Sequence, residues 1–353
     1  MINYLIKRIA YGFFVIFGVA ISVFLIFNAL PGDSVDMMAG QRTDVATKEN
    51  IRKELGLDLP LGTQLSHYLN DISPLSIHWR NDKNKAKYDY AELFNIQRKV
   101  VVLKYPYLRR SYQTNKPVND IVLDNIPGTF WLAFAAMAFA IVFGITFGAI
   151  AALNQNSWID HTLVTTSVFG ISAPSFVSAI IISMIFGYYL SDYTGLSMTG
   201  QLWETDVMSG ERYLVLKNLI LPAFTLGIRP LAIIVQLTRS SMLDVLSQDY
   251  IRTAKAKGLS RYKVITKHAL KNAINPVITA VSGWFASLMA GAFFIEFIFN
   301  WKGLGSTTIN AVNSLDFPVV MGATLFIACI FVIVNIFVDI FYAMADPRVR
   351  LGE

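Results

Sequence analysis

Apolar and polar residues alternate along this chain in long blocks, not in short helical or strand periods. Residues 9–30 run for 22 positions without a charged side chain, immediately after Lys7-Arg8. A run of that length crosses a bilayer core as a helix. It is longer than the apolar part of a typical secretory leader and no small-x-small cleavage site comes after it, so it is predicted to be a retained first span that starts in the cytoplasm. Pro31-Gly32-Asp33 ends it. No charge occurs between Asp124 and Asp160, and a second span fits within 127–153. Gly128, Gly144, Gly148 and many alanines give that span small positions for close helix contact. After a tight turn at 154–160, residues 161–190 offer a third span. Pro174 interrupts it, with Ser172 and Ser175 nearby to satisfy the backbone groups that the proline frees. Residues 218–238, 272–295 and 317–338 supply three more, the last two ending at Glu296 and Asp339.

The polar blocks then fall on alternate sides. Residues 31–125 hold 14 Lys and Arg against 12 Asp and Glu and several possible short helices. They are extracytoplasmic because the first span starts inside, and long loops are largely exempt from the positive-inside rule. Residues 191–217 form a second outer loop. Residues 297–316 form a third, with Trp301-Lys302-Gly303-Leu304-Gly305 as a turn-forming stretch carrying an interfacial aromatic. Six spans put both termini in the cytoplasm, in agreement with Arg348 and Arg350 in the tail. The expected fold class is an all-α membrane protein with six transmembrane helices.

One polar block stands apart. Residues 249–276 (DYIRTAKAKGLSRYKVITKHALKNAINP) carry seven Lys and Arg against one Asp, between two strongly apolar regions. Good helix formers fill 250–257, Gly258 suits a left-handed terminating position, and Ser260 can cap a second helix. A helix, a turn and another helix are therefore predicted beneath the membrane, a form built to touch something. Each of these charges also fits a plain solvated face or contact with anionic lipid.

Composition narrows the function. At 54% hydrophobic, 15% charged and a mean hydropathy of +0.48, the chain belongs to the membrane class. The net charge of +6 comes with no nucleic-acid motif, and its basic residues cluster at predicted membrane boundaries, so no nucleic-acid partner is expected. Cys329 is the single cysteine, and His67, His78, His161 and His268 lack ligand spacing; neither a metal site nor a cofactor is expected. The chain has no Gly-Lys dipeptide and hence no phosphate-binding loop of the GxxxxGK[ST] kind. No catalytic constellation stands out, and transport or channel activity is the inference that remains.

Arg229-Pro230 lies in the middle of the fourth span. Eleven Leu, Ile, Phe and Val residues surround it, contributing roughly −3 to −7 kcal/mol to insertion against about +2.5 to +3.5 for the arginine. That helix depends on its neighbours, and Arg229 is expected to face protein or a water-filled cavity. Two roles stay open for it: a structural arginine paired with a carboxylate or carbonyls, or a lining residue of a substrate pathway.

The block at 249–276 resembles the cytoplasmic EAA loop of binding-protein-dependent ABC importer permeases, in particular the first permease subunit of the dipeptide and oligopeptide family. The family's triplet falls on Arg252-Thr253-Ala254 and its glycine on Gly258. Arg252 replaces the usual Glu, and the later Leu-Pro falls on Leu270-Lys271, but residues 252–259 read RTAKAKGL, as in peptide permeases. Collinear matches extend over more than 300 residues. They include Leu30-Pro31-Gly32-Asp33, Leu55-Gly56-Leu57-Asp58 with Pro60, Leu221-Pro222-Ala223, Thr238-Arg239-Ser240-Ser241-Met242, 301–305, Asp316-Phe317-Pro318-Val319-Val320 with Gly322, and Asp346-Pro347-Arg348. The chain departs from the family in a longer first outer loop around 75–110 and in Arg229, where an apolar or small residue is usual.

The resemblance implies a type I importer permease fold, with residues 1–117 as first span and outer segment, 118–343 as permease core and 344–353 as tail. It implies a second permease subunit in a heterodimer, two ATP-binding cassette ATPases that hydrolyse the ATP, and an extracytoplasmic solute-binding protein. It makes the block a coupling helix for the ATPases. In that reading Tyr250, Ile251, Ala254 and Leu259 supply apolar contacts, Arg252, Lys255 and Lys257 meet carboxylates, Thr253 completes the triplet and Gly258 permits the turn. Di- or oligopeptides are the expected cargo, with nickel chelates, glutathione or another small solute as alternatives. A secondary transporter or channel would show inverted repeats and mid-span carboxylates, and neither is evident.

Overall fold

The computed structural model describes residues 2–29, 49, 52, 58–96, 98–206 and 208–345. The matches at 30–33, 55–57 and 346–348, and Arg348 and Arg350 of the tail, lie outside the described residues. In chain order the elements begin with α1 (Ile2–Ala29), α2 (Leu61–Ile72), β1 (Leu75–Trp79), α3 (Asp82–Tyr88), β2 (Ala91–Ile96) and β3 (Lys99–Leu103). The long α4 (Val118–Leu153) comes next, then α5 (Trp158–Ser172) and α6 (Ser175–Tyr189), whose last turn is a π-helix. After the hairpin of β4 (Trp203–Thr205) and β5 (Arg212–Leu214) come α7 (Lys217–Leu246), α8 (Asp249–Ala256), α9 (Arg261–Ala273) and α10 (Asn275–Gly291). The chain closes with α11 (Phe293–Ile298), α12 (Leu304–Asn313) and α13 (Phe317–Ala345).

Helices α1, α4, α7 and α13 are each long and apolar enough to cross a membrane. The pairs α5–α6, bent by 108°, and α9–α10, bent by 53°, bring the spans to six when each bent pair is counted as one span. The first bend falls at Ala173-Pro174, where proline supplies no N–H and disfavours the helical conformation in the residue before it.

Among the described residues the chain forms two compact units, one within Met1–Ile9, Asn125–Thr307 and Ile330–Glu353, the other within Ala10–Asp124 and Thr308–Cys329. The first is built on α4 and α7. Leu132, Ala133, Ala136 and Ala140 of α4 are buried in one cluster with Leu231, Ile234 and Val235 of α7. A Cβ on Gly144 would stand 2.6 Å from the Ile234 side chain, and one on Gly148 would stand 2.6 Å from Thr238 and from the Val235 carbonyl. The two glycines thus let the helices approach closely, and such packing drives association where lipid is as apolar as the side chains. Arg8 Nε lies 2.6 Å from Asp339 Oδ2, an ion pair between α1 and α13 in the same unit.

In the second unit Phe24 of α1 stacks on Tyr68 of α2 at 5.6 Å, with Ala20 and Leu325 buried beside them. The segment with several possible short helices also folds an antiparallel sheet in the order β1-β3-β2, with Ile77 opposite Val101 and Phe94 opposite Val101. Strict alternation explains it: Ser76, His78, Val100 and Val102 point inward while Leu75, Ile77 and Trp79 point out. Asp71 accepts a hydrogen bond from Tyr88 Oη at 2.8 Å, and the buried Lys104 ammonium donates to its backbone carbonyl. Burial lowers the Lys104 pKa to about 8 against the opposing pull of Asp71, with Lys87 lowering it further. Burial also lowers that of His78. Asp316 accepts from Ser111 Oγ at 2.5 Å and from the Tyr112 N–H at 3.0 Å, which gives the Asp316 match a structural use.

Candidate functional site

The cytoplasmic block has the predicted helix, turn and helix. Helix α8 ends in a Schellman turn: Gly258 N–H donates to Lys255 O at 3.0 Å, and Leu259 N–H reaches Ala254 O at 3.4 Å. Gly258 sits at φ +75°, and nothing lies within 4 Å of where its Cβ would be. Ser260 then caps α9, accepting from the Lys263 N–H at 3.4 Å.

The period of α8 decides which side each residue faces. Ile251 and Ala254 are buried in a cluster with Met242 of α7, Ala152 of α4 and Val264, Ala269 and Ala273 of α9, and Leu259 packs against it. Ile251 and Ala254 therefore hold the block to the chain's own helix ends. Arg252, Thr253, Lys255, Lys257 and Gly258 are exposed. Tyr250 is also exposed, its hydroxyl accepting from Asn272 Nδ2 at 3.0 Å. Arg252 pairs with Asp249 at 3.6 Å in full solvent, a contact worth little. Tyr262 of α9 is 76% exposed, and no motif in the sequence marks it.

Two buried carboxylates frame this unit. Asp160, at the start of α5, receives Arg239 of α7 through Nε at 2.5 Å and Nη2 at 2.6 Å, and the Asn156 N–H at 2.9 Å. Glu296 is fully buried and accepts from Thr129 Oγ1 at 2.7 Å and from the Ser306 N–H at 3.0 Å. It thereby satisfies a free N–H in the first turn of α12, where the helix dipole favours a negative charge. Trp301 donates from Nε1 to Gly128 O at 2.9 Å. The 301–305 stretch is thus a buried joint as well as a turn. The motif matches contain Arg239 and Trp301 but give no sign of their partners, which lie 79 and 173 residues away in sequence.

Arg229 lies in α7 with its Nη2 3.5 Å from the Ala173 carbonyl at the α5–α6 break. Its Nε is buried and has no hydrogen-bond partner among the described residues. An apolar cleft of about 440 Å³ near α4 and α7, walled by residues such as Phe139, Phe186, Leu216 and Phe224, presents only apolar side chains.

Residues 144–351 match the family of binding-protein-dependent transport system inner membrane components, and residues 1–81 match the N-terminal region of such membrane components. The chain belongs to this family: it is a multi-pass inner-membrane permease subunit of an ABC importer. It is 33% identical over 350 residues to the glutathione transport system permease protein GsiC of Escherichia coli (strain K12), covering 99% of each chain. The protein of the same name in Escherichia coli O6:H1 (strain CFT073) is 34% identical, again over 99% of each. Among solved structures, the MetNI methionine ABC transporter in an inward-facing crystal form aligns with a TM-score of 0.49 at 12% identity, over 64% of this chain and 96% of that one.

Proposed function

We propose that this chain forms one half of the translocation pathway of an importer of short peptides and receives its energy through residues 249–276. The observation that carries the coupling role is the two-sidedness of that block. Ile251 and Ala254 bind it to Met242 and thus to α7, while Tyr250, Arg252, Thr253, Lys255, Lys257 and Gly258 stand free on the surface with Leu259 at their edge. A partner that pushes on the free face moves α7 and α9 with it. The partner is an ATP-binding cassette ATPase, two per importer, and ATP is hydrolysed there and not in this chain. A distinct second permease subunit and an extracytoplasmic solute-binding protein complete the assembly. Residues 1–117 serve as entry span and outer module, 118–343 as permease core and 344–353 as tail.

Peptide cargo is supported by the RTAKAKGL stretch and by relatives named for glutathione, itself a tripeptide. Arg229 is a lining residue of the pathway, since it faces a broken helix without a carboxylate partner. The test is uptake into proteoliposomes holding the complete importer and its binding protein, with labelled di-, tri- and pentapeptides and glutathione. ATP-dependent accumulation of peptides is expected. Accumulation of a nickel chelate with no peptide uptake overturns the cargo.

A further inference from the structure

Two arginines of α7 meet opposite fates. Arg239 is locked to Asp160 by two hydrogen bonds of 2.5 and 2.6 Å, as a structural arginine should be. Arg229, ten residues earlier, has no carboxylate within 4 Å among the described residues, one long hydrogen bond of 3.5 Å and a buried Nε without a partner. It lies twelve residues from Lys217 at the start of α7, about 18 Å along the helix, near the middle of a helix long and apolar enough to cross a membrane. Among the described residues its Nη2 reaches one carbonyl and its buried Nε reaches none, in a place where leaving a buried donor unmade is costly.

The surroundings of the guanidinium suit an anion. Opposite it the chain breaks between Ser172 and Ser175, and Ser172 and Pro174 are exposed there. Helix α6 starts at this break without a side-chain cap, so its free N–H groups and the positive end of its dipole lie at the same break. Broken helices at membrane depth are tolerated where they are buried in protein or line a water-filled cavity. An unused cation and an uncapped helix start call for a ligand that only accepts hydrogen bonds and carries negative charge. In a peptide that group is a carboxylate.

We propose that Arg229, at the α5–α6 break, is a specificity-determining residue that binds a carboxylate of the imported solute during its passage. The inference rests on the chain being a peptide permease and names the part of the peptide that is recognised.

The test uses the complete importer in proteoliposomes, with its binding protein saturated by a tripeptide or by the C-terminal amide of the same tripeptide. The binding protein is common to wild type and variants, so its own preference cancels in the variant-to-wild-type ratio. Arg229→Leu is expected to slow the free acid about tenfold or more relative to the amide, the loss of one charge-assisted hydrogen bond. Arg229→Lys should recover much of that loss. If Arg229→Leu does not assemble, Arg229→Gln, which keeps a donor for Ala173 without the charge, should show the same selective loss. Equal slowing of acid and amide, or no slowing, overturns the assignment and makes Arg229 structural. Failure of the wild type to transport either peptide while its ATPases turn over overturns the peptide cargo and this inference with it, and is distinguished by appearing before any substitution.

Discussion

Arg239 clasps Asp160 with both arms of its guanidinium, at 2.5 and 2.6 Å, although 79 residues separate them. Asp160 is almost wholly buried, so the pair fixes the start of α5 to α7 about two turns before that helix ends at Leu246. Removing either partner strands the other. Arg239→Leu, which leaves a buried carboxylate unpaired, should lower the stability of the purified permease by about 3 kcal/mol. A thermal melt is the measurement. An unchanged melting temperature in that variant would mean that water replaces the arginine.

Gly258 separates two kinds of damage. Its φ of +75° penalises any side chain with a Cβ, by about 1–2 kcal/mol, but the space around it is open. Gly258→Asn, which tolerates the left-handed region, should keep most uptake, and Gly258→Ala should lose some. Gly258→Trp should abolish uptake while membrane insertion and expression stay normal, because its bulk would enter the open space where the proposed ATPase docks and not the chain's own core. Normal transport by that variant would exclude a docking role for the turn.

The spans and the block are legible in sequence because each depends on local rules. A bilayer sets the length of a charge-free run, and Gly258 and Ser260 act within one turn of themselves. The features that sequence hides depend on distant partners. Glu296 reads as the polar end of a span, yet it is buried and holds Thr129 and the first turn of α12. Ile251 and Ala254 fit an apolar docking contact equally well until Met242 and Val264 are seen to cover them. The β1–β3 strands are five or six residues each, interleaved with lysines and broken by α3, which obscures their alternation.

Lys104 makes the module of the β1-β3-β2 sheet sensitive to pH. Its pKa of about 8 in the fold lies below the ordinary lysine value, chiefly through burial. The folded module therefore holds fewer protons than the unfolded chain between about pH 8 and 10.5, and stability rises with pH across that window. Below pH 8 the full cost of burying the charge is present. Lys104→Met should remove the dependence, so the difference in melting temperature between variant and wild type should shrink from pH 7 to pH 10. The effect is of order 1–3 kcal/mol. A difference that stays constant over that range would show that the Lys104 amine remains charged throughout.

The two faces of α8 should fail in different ways. Ile251→Ala opens a cavity beneath the block, with Met242 and Val264 losing contact, at a cost of about 2–4 kcal/mol. The block should then loosen and transport should fall with the ATPases still bound, because the outer face is intact. Reversing the exposed charges, Arg252→Glu with Lys255→Glu, leaves the buried side untouched. It should instead reduce recovery of the ATPases on affinity purification of the permease. Because those contacts are at the surface, wild-type association should also weaken as salt rises toward 1 M, where screening acts within about 3 Å, and the doubly reversed variant should lose that salt dependence. If Ile251→Ala releases the ATPases and the charge reversal does not, the inner residues and not the basic face are what the ATPase holds.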